Sequence, residues 1–273
     1  MHVAVLGHVE RVDFLKVAPY PRPGDIVHAE SWWVEAAAGG GSVAAVWLRA
    51  LAGTTLFFTA LGADPDGAAA RAELERRGVT VHAAVRDEPT RRAVTLVEPS
   101  GERTIVVAGN RLDPSGTDPL AWGAFADADA AYLCAGDARA IRAARNARVV
   151  VATSRILPAL REAGVAVDAL VGSARDPAER FDDDLVPSPA LVVRTAGARG
   201  GWYRVSGEEE RSYEAIAPPG PAVDTYGCGD AFAAGLTFSL GRGDAADEAI
   251  RFAATCGARA LAGRGPYGGV PRD

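Results

Sequence analysis

Three cysteines, Cys134, Cys228 and Cys256, are spread over 273 residues. They are too few and too far apart for a disulfide framework or a C-x-x-C metal site. The four histidines, His2, His8, His28 and His82, show no ligand spacing among them. Free thiols in a reducing compartment are therefore expected. A basic excess is missing as well. The net charge is -6 and the arginines are scattered apart from Arg76-Arg77 and Arg91-Arg92, which leaves no basic face for nucleic acid or anionic lipid. No apolar run approaches the roughly 20 residues needed to span a bilayer, and the first seven residues read as a short apolar strand without a basic leader or cleavage site. These absences predict a cytoplasmic protein with no nucleic-acid or membrane partner, acting on a small molecule. No repeat, low-complexity tract or linker divides the chain, so 1–273 is expected to be a single domain with a substantial core.

What is present is an alternation of strand-length apolar runs with helix-length segments. Strands are predicted at 3–6, 54–60, 130–134, 148–151, 168–171 and 190–194, and helices at 42–52, 66–78, 137–146, 156–163, 177–184, 229–240 and 244–262. This is the order of an α/β doubly wound, mostly parallel sheet flanked by helices, with ligands at the carboxyl ends of the strands. Two stretches, about 12–36 and 79–108, break the rhythm with turn-punctuated alternation. They predict hairpins of a small antiparallel sheet that projects as a lid and keeps water from a reacting centre. Trp32 and Trp33 are adjacent and on a strand would point to opposite faces. Either a homodimer joins through the lids, or one tryptophan packs on the core and the other stays partly exposed.

The densest stretch is Asp224-Thr225-Tyr226-Gly227-Cys228-Gly229-Asp230-Ala231-Phe232. Gly227 and Gly229 permit a tight backbone turn, and the apolar segment from Ala231 reads as a helix. Backbone N–H groups at that helix start would converge on an anion, aided by the helix dipole. Asp230 at the same point could take a proton from an attacking hydroxyl. The plain alternative is a glycine-bearing loop whose aspartate merely caps a helix.

At this motif the sequence resembles the ribokinase-like (PfkB) carbohydrate kinase family, whose signature has the form D-T-x-G-x-G-D-A-F-x-x-G. The resemblance implies that Asp230 is the catalytic base and that the amides of Gly227, Cys228 and Gly229 hold the transferred phosphate. It groups Asp224 with the substrate site and Thr225 with the nucleotide. Glu10 and Asp13 follow the first strand, where the family carries an aspartate, and either acid could accept hydrogen bonds from sugar hydroxyls; they could also be solvated surface acids. Gly39-Gly40-Gly41-Ser42 matches a G-G-K-G-A-N-like sugar-contacting segment, with Gly40 in place of the lysine and Val43 in place of the Asn, or serves only as a flexible helix start. The stretch from Thr59 to Gly67 resembles the family's V-G-x-D-x-x-G turn and reads as structural, and Arg91 and Arg92 fall in a segment that faces substrate in relatives.

For the nucleotide, Thr195, Gly197 and Gly200 match a T-x-G-x-x-G turn that lies along ATP. Asp176 and Glu179 match N-x-x-E, with Asp in place of Asn, near Mg²⁺. Cys228 replaces a common alanine; a thiol at a helix start is either activated with a lowered pKa or simply a small residue that fits. The function implied is ATP- and Mg²⁺-dependent transfer of the γ-phosphate to a hydroxyl of a sugar or sugar-like molecule, with a monovalent cation as an optional cofactor. The alternatives are a nucleoside kinase on the same fold, or a sugar- or nucleotide-binding regulatory protein with little turnover.

Overall fold

The computed structural model describes residues 1–271. The first half runs β1 (His2–Leu6), β2 (Glu10–Lys16), β3 (Ser31–Ala38), α1 (Gly40–Ala52), β4 (Thr54–Gly62), α2 (Pro65–Arg76), β5 (Thr80–Arg86), β6 (Arg92–Val97) and β7 (Arg103–Ala108). The second half runs β8 (Ala130–Leu133), α3 (Ala138–Ala144), β9 (Val149–Thr153), α4 (Leu157–Ala163), β10 (Ala169–Ser173), β11 (Leu191–Thr195), β12 (Gly201–Val205), β13 (Arg211–Tyr213), α5 (Cys228–Arg242) and α6 (Ala246–Leu261).

Nine strands form one sheet in the order β13-β12-β11-β10-β9-β8-β1-β4-β5. The pairs from β5 across to β11 are parallel, and β12 and β13 add an antiparallel edge. Buried on both faces, the central strands are nearly continuous apolar runs: Val3, Ala4, Val5 and Leu6 of β1 and all four residues of β8 are buried, as the parallel arrangement demands. The chain winds outward from β1 through β4 to β5, then returns to β8 on the other side and winds outward again. The carboxyl ends of β1 and β8 therefore flank a switch point, where sheets of this kind place a ligand crevice.

Local chemistry fixes the helices that frame that crevice. Asp64 caps α2 by accepting from the Gly67 N–H at 2.7 Å, with Pro65 in the first turn, and its other oxygen takes the Thr90 N–H at 2.7 Å. In α5, Gly235 lets α6 approach so closely that an added Cβ would sit 2.8 Å from Cys256 Sγ. That close packing seats α5 firmly, with Ala231, Ala234 and Leu236 fully buried.

The second sheet has the order β3-β2-β6-β7. It is the expected lid with two corrections. Residues 80–86, placed in the lid from their alternation, pair in parallel with β4 and form the edge of the main sheet; an edge strand buried on one face carries the same two-residue period as a hairpin. The lid contribution therefore starts at Arg92. Within it, β2 and β6 run parallel, so the lid is mixed rather than wholly antiparallel. The helix expected at 177–184 is a single 3-10 turn, Pro177–Glu179. Asp182, Asp183 and Asp184 are drawn to three different arginines, Arg180, Arg204 and Arg161, and Asp183 adopts a φ of 59°, off the helical path.

Candidate active site

Gly227 sits just before α5 with a φ of 77°, a left-handed turn that a side chain would strain. An added Cβ would also lie 3.2 Å from Val43 Cγ1 of α1. This turn places Asp230 in the first turn of α5, over the start of α1. A Cβ on Gly40 would sit 2.8 Å from Asp230 Oδ1 and 3.7 Å from the His8 ring, so the missing side chain is what admits the carboxylate. Burial pushes the Asp230 carboxyl up to about 6 from the ordinary 3.8, opposed by the charges of Arg103 and Arg155 and reinforced by those of Glu179 and Glu10. Gly229 is exposed, and no atom would meet a Cβ there. The N–H groups of the first turn lack acceptors one helical turn back; that of Cys228 makes a long bond to the Thr225 carbonyl at 3.5 Å, and the turn can meet an anion.

Tyr226 ties the loop to the far side of the crevice. Its hydroxyl accepts from the Gly39 N–H at 3.1 Å and donates to Glu10 Oε1 at 3.4 Å. Glu10 is buried beside the Arg91 guanidinium at 3.4 Å, and its own pKa is raised by burial. Glu10, Gly39, Gly40, Gly227 and Asp230 thus converge. Gly41 serves packing instead, because an added Cβ would strike the His8 backbone at 2.6 Å.

Several expected residues lie elsewhere or are already occupied. Asp13 points to the lid face opposite Phe14 and is paired with Arg11 at 2.7 Å; the pairing is irregular between Glu10 and Val12, but Glu10 is buried with Val12 and Phe14 on the other face. Asp224 is 1% exposed and accepts from the N–H groups of Tyr226 and Gly265, which makes it the anchor of the loop rather than an open substrate ligand. The Thr225 hydroxyl accepts from Arg103 at 2.7 Å and donates to the Gly101 carbonyl, locking the β6–β7 turn of the lid onto the loop. Cys228 is not an activated thiol, since burial pushes it up to about 12; the apolar surroundings outweigh the helix dipole.

At the carboxyl end of β11, Thr195 accepts the Ala174 N–H through its carbonyl and Gly197 lies against Arg175. This turn therefore adjoins the segment that carries Asp176 and Glu179. Gly200 is a packing glycine, because a Cβ there would lie only 1.9 Å from the Tyr213 carbonyl oxygen. Asp176 and Glu179 come together around Arg155, at 2.6 and 2.7 Å. No motif pointed to His8, Arg103 or Arg155. His8 is a neutral ring with its pKa lowered to about 3 by burial and the nearby arginines, and its place directly after the β1 glycine was the available signal. Arg103 meets Thr225 across 122 positions, a contact without local signature.

The family model for pfkB family carbohydrate kinases matches residues 1–273. The chain belongs to the PfkB family. It is a phosphotransferase of the carbohydrate kinase type. An acarbose 7(IV)-phosphotransferase of Actinoplanes sp. is 30% identical over 94% of this chain and 91% of that protein. Among solved structures, the ribokinase of Arabidopsis thaliana complexed with ribose and ATP superposes with a TM-score of 0.72 at 20% identity, covering 96% of this chain and 93% of its own. The nucleoside kinase of Burkholderia thailandensis in complex with inosine gives a TM-score of 0.74 at 16% identity, over 99% and 94%. These two share the fold. A sugar kinase and a nucleoside kinase thus both stand among the structures that share the fold of this PfkB chain.

Proposed function

We propose that this chain transfers the γ-phosphate of ATP to a hydroxyl of a sugar or sugar-like molecule, with Asp230 as the general base. The observation that carries the reading is the convergence of Asp230, Gly40 and the α5 N-terminus at the switch point of the sheet. Above a pH of about 6 the Asp230 carboxylate is ionised and accepts the proton of the substrate hydroxyl as the oxygen attacks. The first-turn amides of α5, from Gly227 to Gly229, stabilise the charge on the phosphoryl group in flight. Glu10 and Gly39, bridged by Tyr226, orient the acceptor from the lid side. Thr195 and Gly197 flank the nucleotide.

Asp176 and Glu179 supply hard oxygen donors of the kind Mg²⁺ takes through one or two carboxylates and its water shell. They would hold that ion, which offsets phosphate charge. A requirement for a monovalent cation is examined in the same assay by exchanging K⁺ for a bulky organic cation.

A sugar acceptor is favoured over a nucleoside by the state of Trp33. One face of its ring stacks on Phe14 at 4.8 Å and the other lies under Arg264 at 3.8 Å, so neither is free to stack a base. Trp32, in contrast, is 64% exposed. Cross-strand register aligns Val34, Asp13, Val94 and Val106 in one row and Trp32, Leu15, Leu96 and Thr104 in the next, with the Asp13 charge offset by Arg11. This largely apolar lid face, broken by the Arg11–Asp13 pair, supports a homodimer joined lid to lid. The unpaired cysteines support a reducing, cytoplasmic setting.

The test is ADP release with Mg-ATP across sugars, sugar phosphates, oligosaccharides and nucleosides, with the product identified by mass spectrometry. Release stimulated by a sugar supports the proposal. Stimulation by nucleosides alone replaces the acceptor, and binding without turnover by any compound replaces the enzyme with a binding protein.

A further inference from the structure

Arg155 belongs to none of the motifs, yet it holds the two acids read above as the cation's residues. It follows β9 in the turn at Ser154–Ile156. Its Nη2 donates to Asp176 Oδ2 at 2.6 Å and lies 2.7 Å from Glu179 Oε1. The remaining oxygens are already taken by backbone: Asp176 Oδ1 accepts from Ala178 at 2.9 Å and Glu179 Oε2 from Ser173 at 2.6 Å. All four carboxylate oxygens are engaged, and the two that can be exchanged are those on Arg155.

The guanidinium carries five N–H donors and stays charged at any physiological pH. Its side chain is 52% exposed, and apart from Nη2 its nitrogens have no protein acceptor among the described residues. Its charge also acts on Asp230, Tyr132 and His8, so it lies within electrostatic reach of the start of α5. A cation arriving at Asp176 and Glu179 must therefore evict Arg155, and the evicted group has donors to spare beside an anion-binding helix terminus. Guanidinium and phosphate match in geometry, which makes their paired hydrogen bonds strong.

We propose that Arg155 is a resident counter-cation. It occupies Asp176 and Glu179 while no divalent ion is bound, yields those oxygens to the ion, and then turns its N–H groups to the phosphates of the nucleotide. This inference rests on the assignment of Asp176 and Glu179 to the cation, and it adds an exchange that keeps the acids neutralised at every stage.

Mn²⁺ without nucleotide is the probe, its free concentration read by electron paramagnetic resonance for the wild type and Arg155→Gln. Removing the competitor should tighten Mn²⁺ binding on the order of tenfold. ADP with saturating Mg²⁺, followed by calorimetry, should bind on the order of tenfold more weakly to the variant, because the ion then holds the acids and the phosphates lack the guanidinium. Arg155→Lys should restore the Mn²⁺ competition more fully than the ADP affinity, because an ammonium keeps the charge without the planar fork. Arg155→Met, which keeps the aliphatic stem, replaces the Gln variant if that one fails to fold. Unchanged or weaker Mn²⁺ binding in the variant, or unchanged ADP affinity, overturns the proposal. If the wild type turns over an acceptor while either of those results is found, only this inference fails; a wild type that neither binds ADP nor releases it removes the kinase reading itself.

Discussion

Replacing Asp230 with Asn should stabilise the protein while disabling it. In the unfolded chain this carboxyl titrates near its ordinary 3.8, and in the folded protein burial raises it to about 6. Between those values the folded state holds more protons than the unfolded state, so stability falls as pH rises through that window and stays reduced above it. At about 1.4 kcal/mol per unit the full cost is about 3 kcal/mol. The carboxylate keeps part of its surface open to the crevice, which trims the figure to about 1–3 kcal/mol. Asn has nearly the same shape and no charge, so Asp230→Asn removes that cost. For a chain of this length about 2 °C accompanies each kcal/mol; the variant should therefore melt ~2–6 °C above the wild type at pH 8, and the gap should shrink to about a third near pH 4.5 and close below a pH of about 3. Differential scanning fluorimetry across that range reads both numbers. A variant that melts lower at pH 8, or a gap of equal size at both ends, refutes the view that Asp230 is held ionised at a cost.

Gly40→Ala places a methyl 2.8 Å from Asp230 Oδ1; we expect kcat to fall about 10- to 100-fold with the melting temperature nearly unchanged, and a wild-type kcat would show that Asp230 needs no such room. Cys228, pushed up to about 12, should resist iodoacetamide at pH 8 in the native protein and react once denatured, as intact-mass analysis will read; fast labelling that ATP prevents would restore the activated-thiol reading. The double substitution Trp32→Glu and Val106→Glu on the apolar lid face should convert a dimer to a monomer in multi-angle light scattering, and an unchanged mass would move the interface elsewhere or abolish it. Tyr226→Phe leaves the buried Gly39 N–H without its acceptor, which should cost about 1–3 kcal/mol in urea unfolding; no loss would show that water or a shifted loop replaces the hydroxyl.

The parts of the molecule legible in the sequence were those whose causes are local. Apolar runs at 3–6, 54–60 and 130–134 announced buried parallel strands because such strands have no polar face to show. The turn at Gly227–Asp230 was legible because a left-handed glycine and a helix start must be adjacent in the chain. What escaped was set by partners far along it. Residues 80–86 alternate like a hairpin strand, and only β4 decides that they join the main sheet. Asp13 and Glu10 are indistinguishable as acids after a first strand until β2 sends them to opposite faces. Arg155 finds Asp176 21 positions away and Arg103 finds Thr225 across 122, and a scattered arginine carries no sign of where its charge will be spent. Asp224 and Thr225 show the converse: inside the most specific motif, they hold the loop together and leave Asp230 as the group open to the crevice.

The most direct test of the central claim compares the wild type with Asp230→Asn on whichever acceptor stimulates ADP release, at pH 8 with saturating Mg-ATP. The account predicts a loss of at least ~10²–10⁴-fold in kcat/KM with ADP affinity retained in calorimetry. Turnover within a fewfold of the wild type would contradict it and hand the proton to another group.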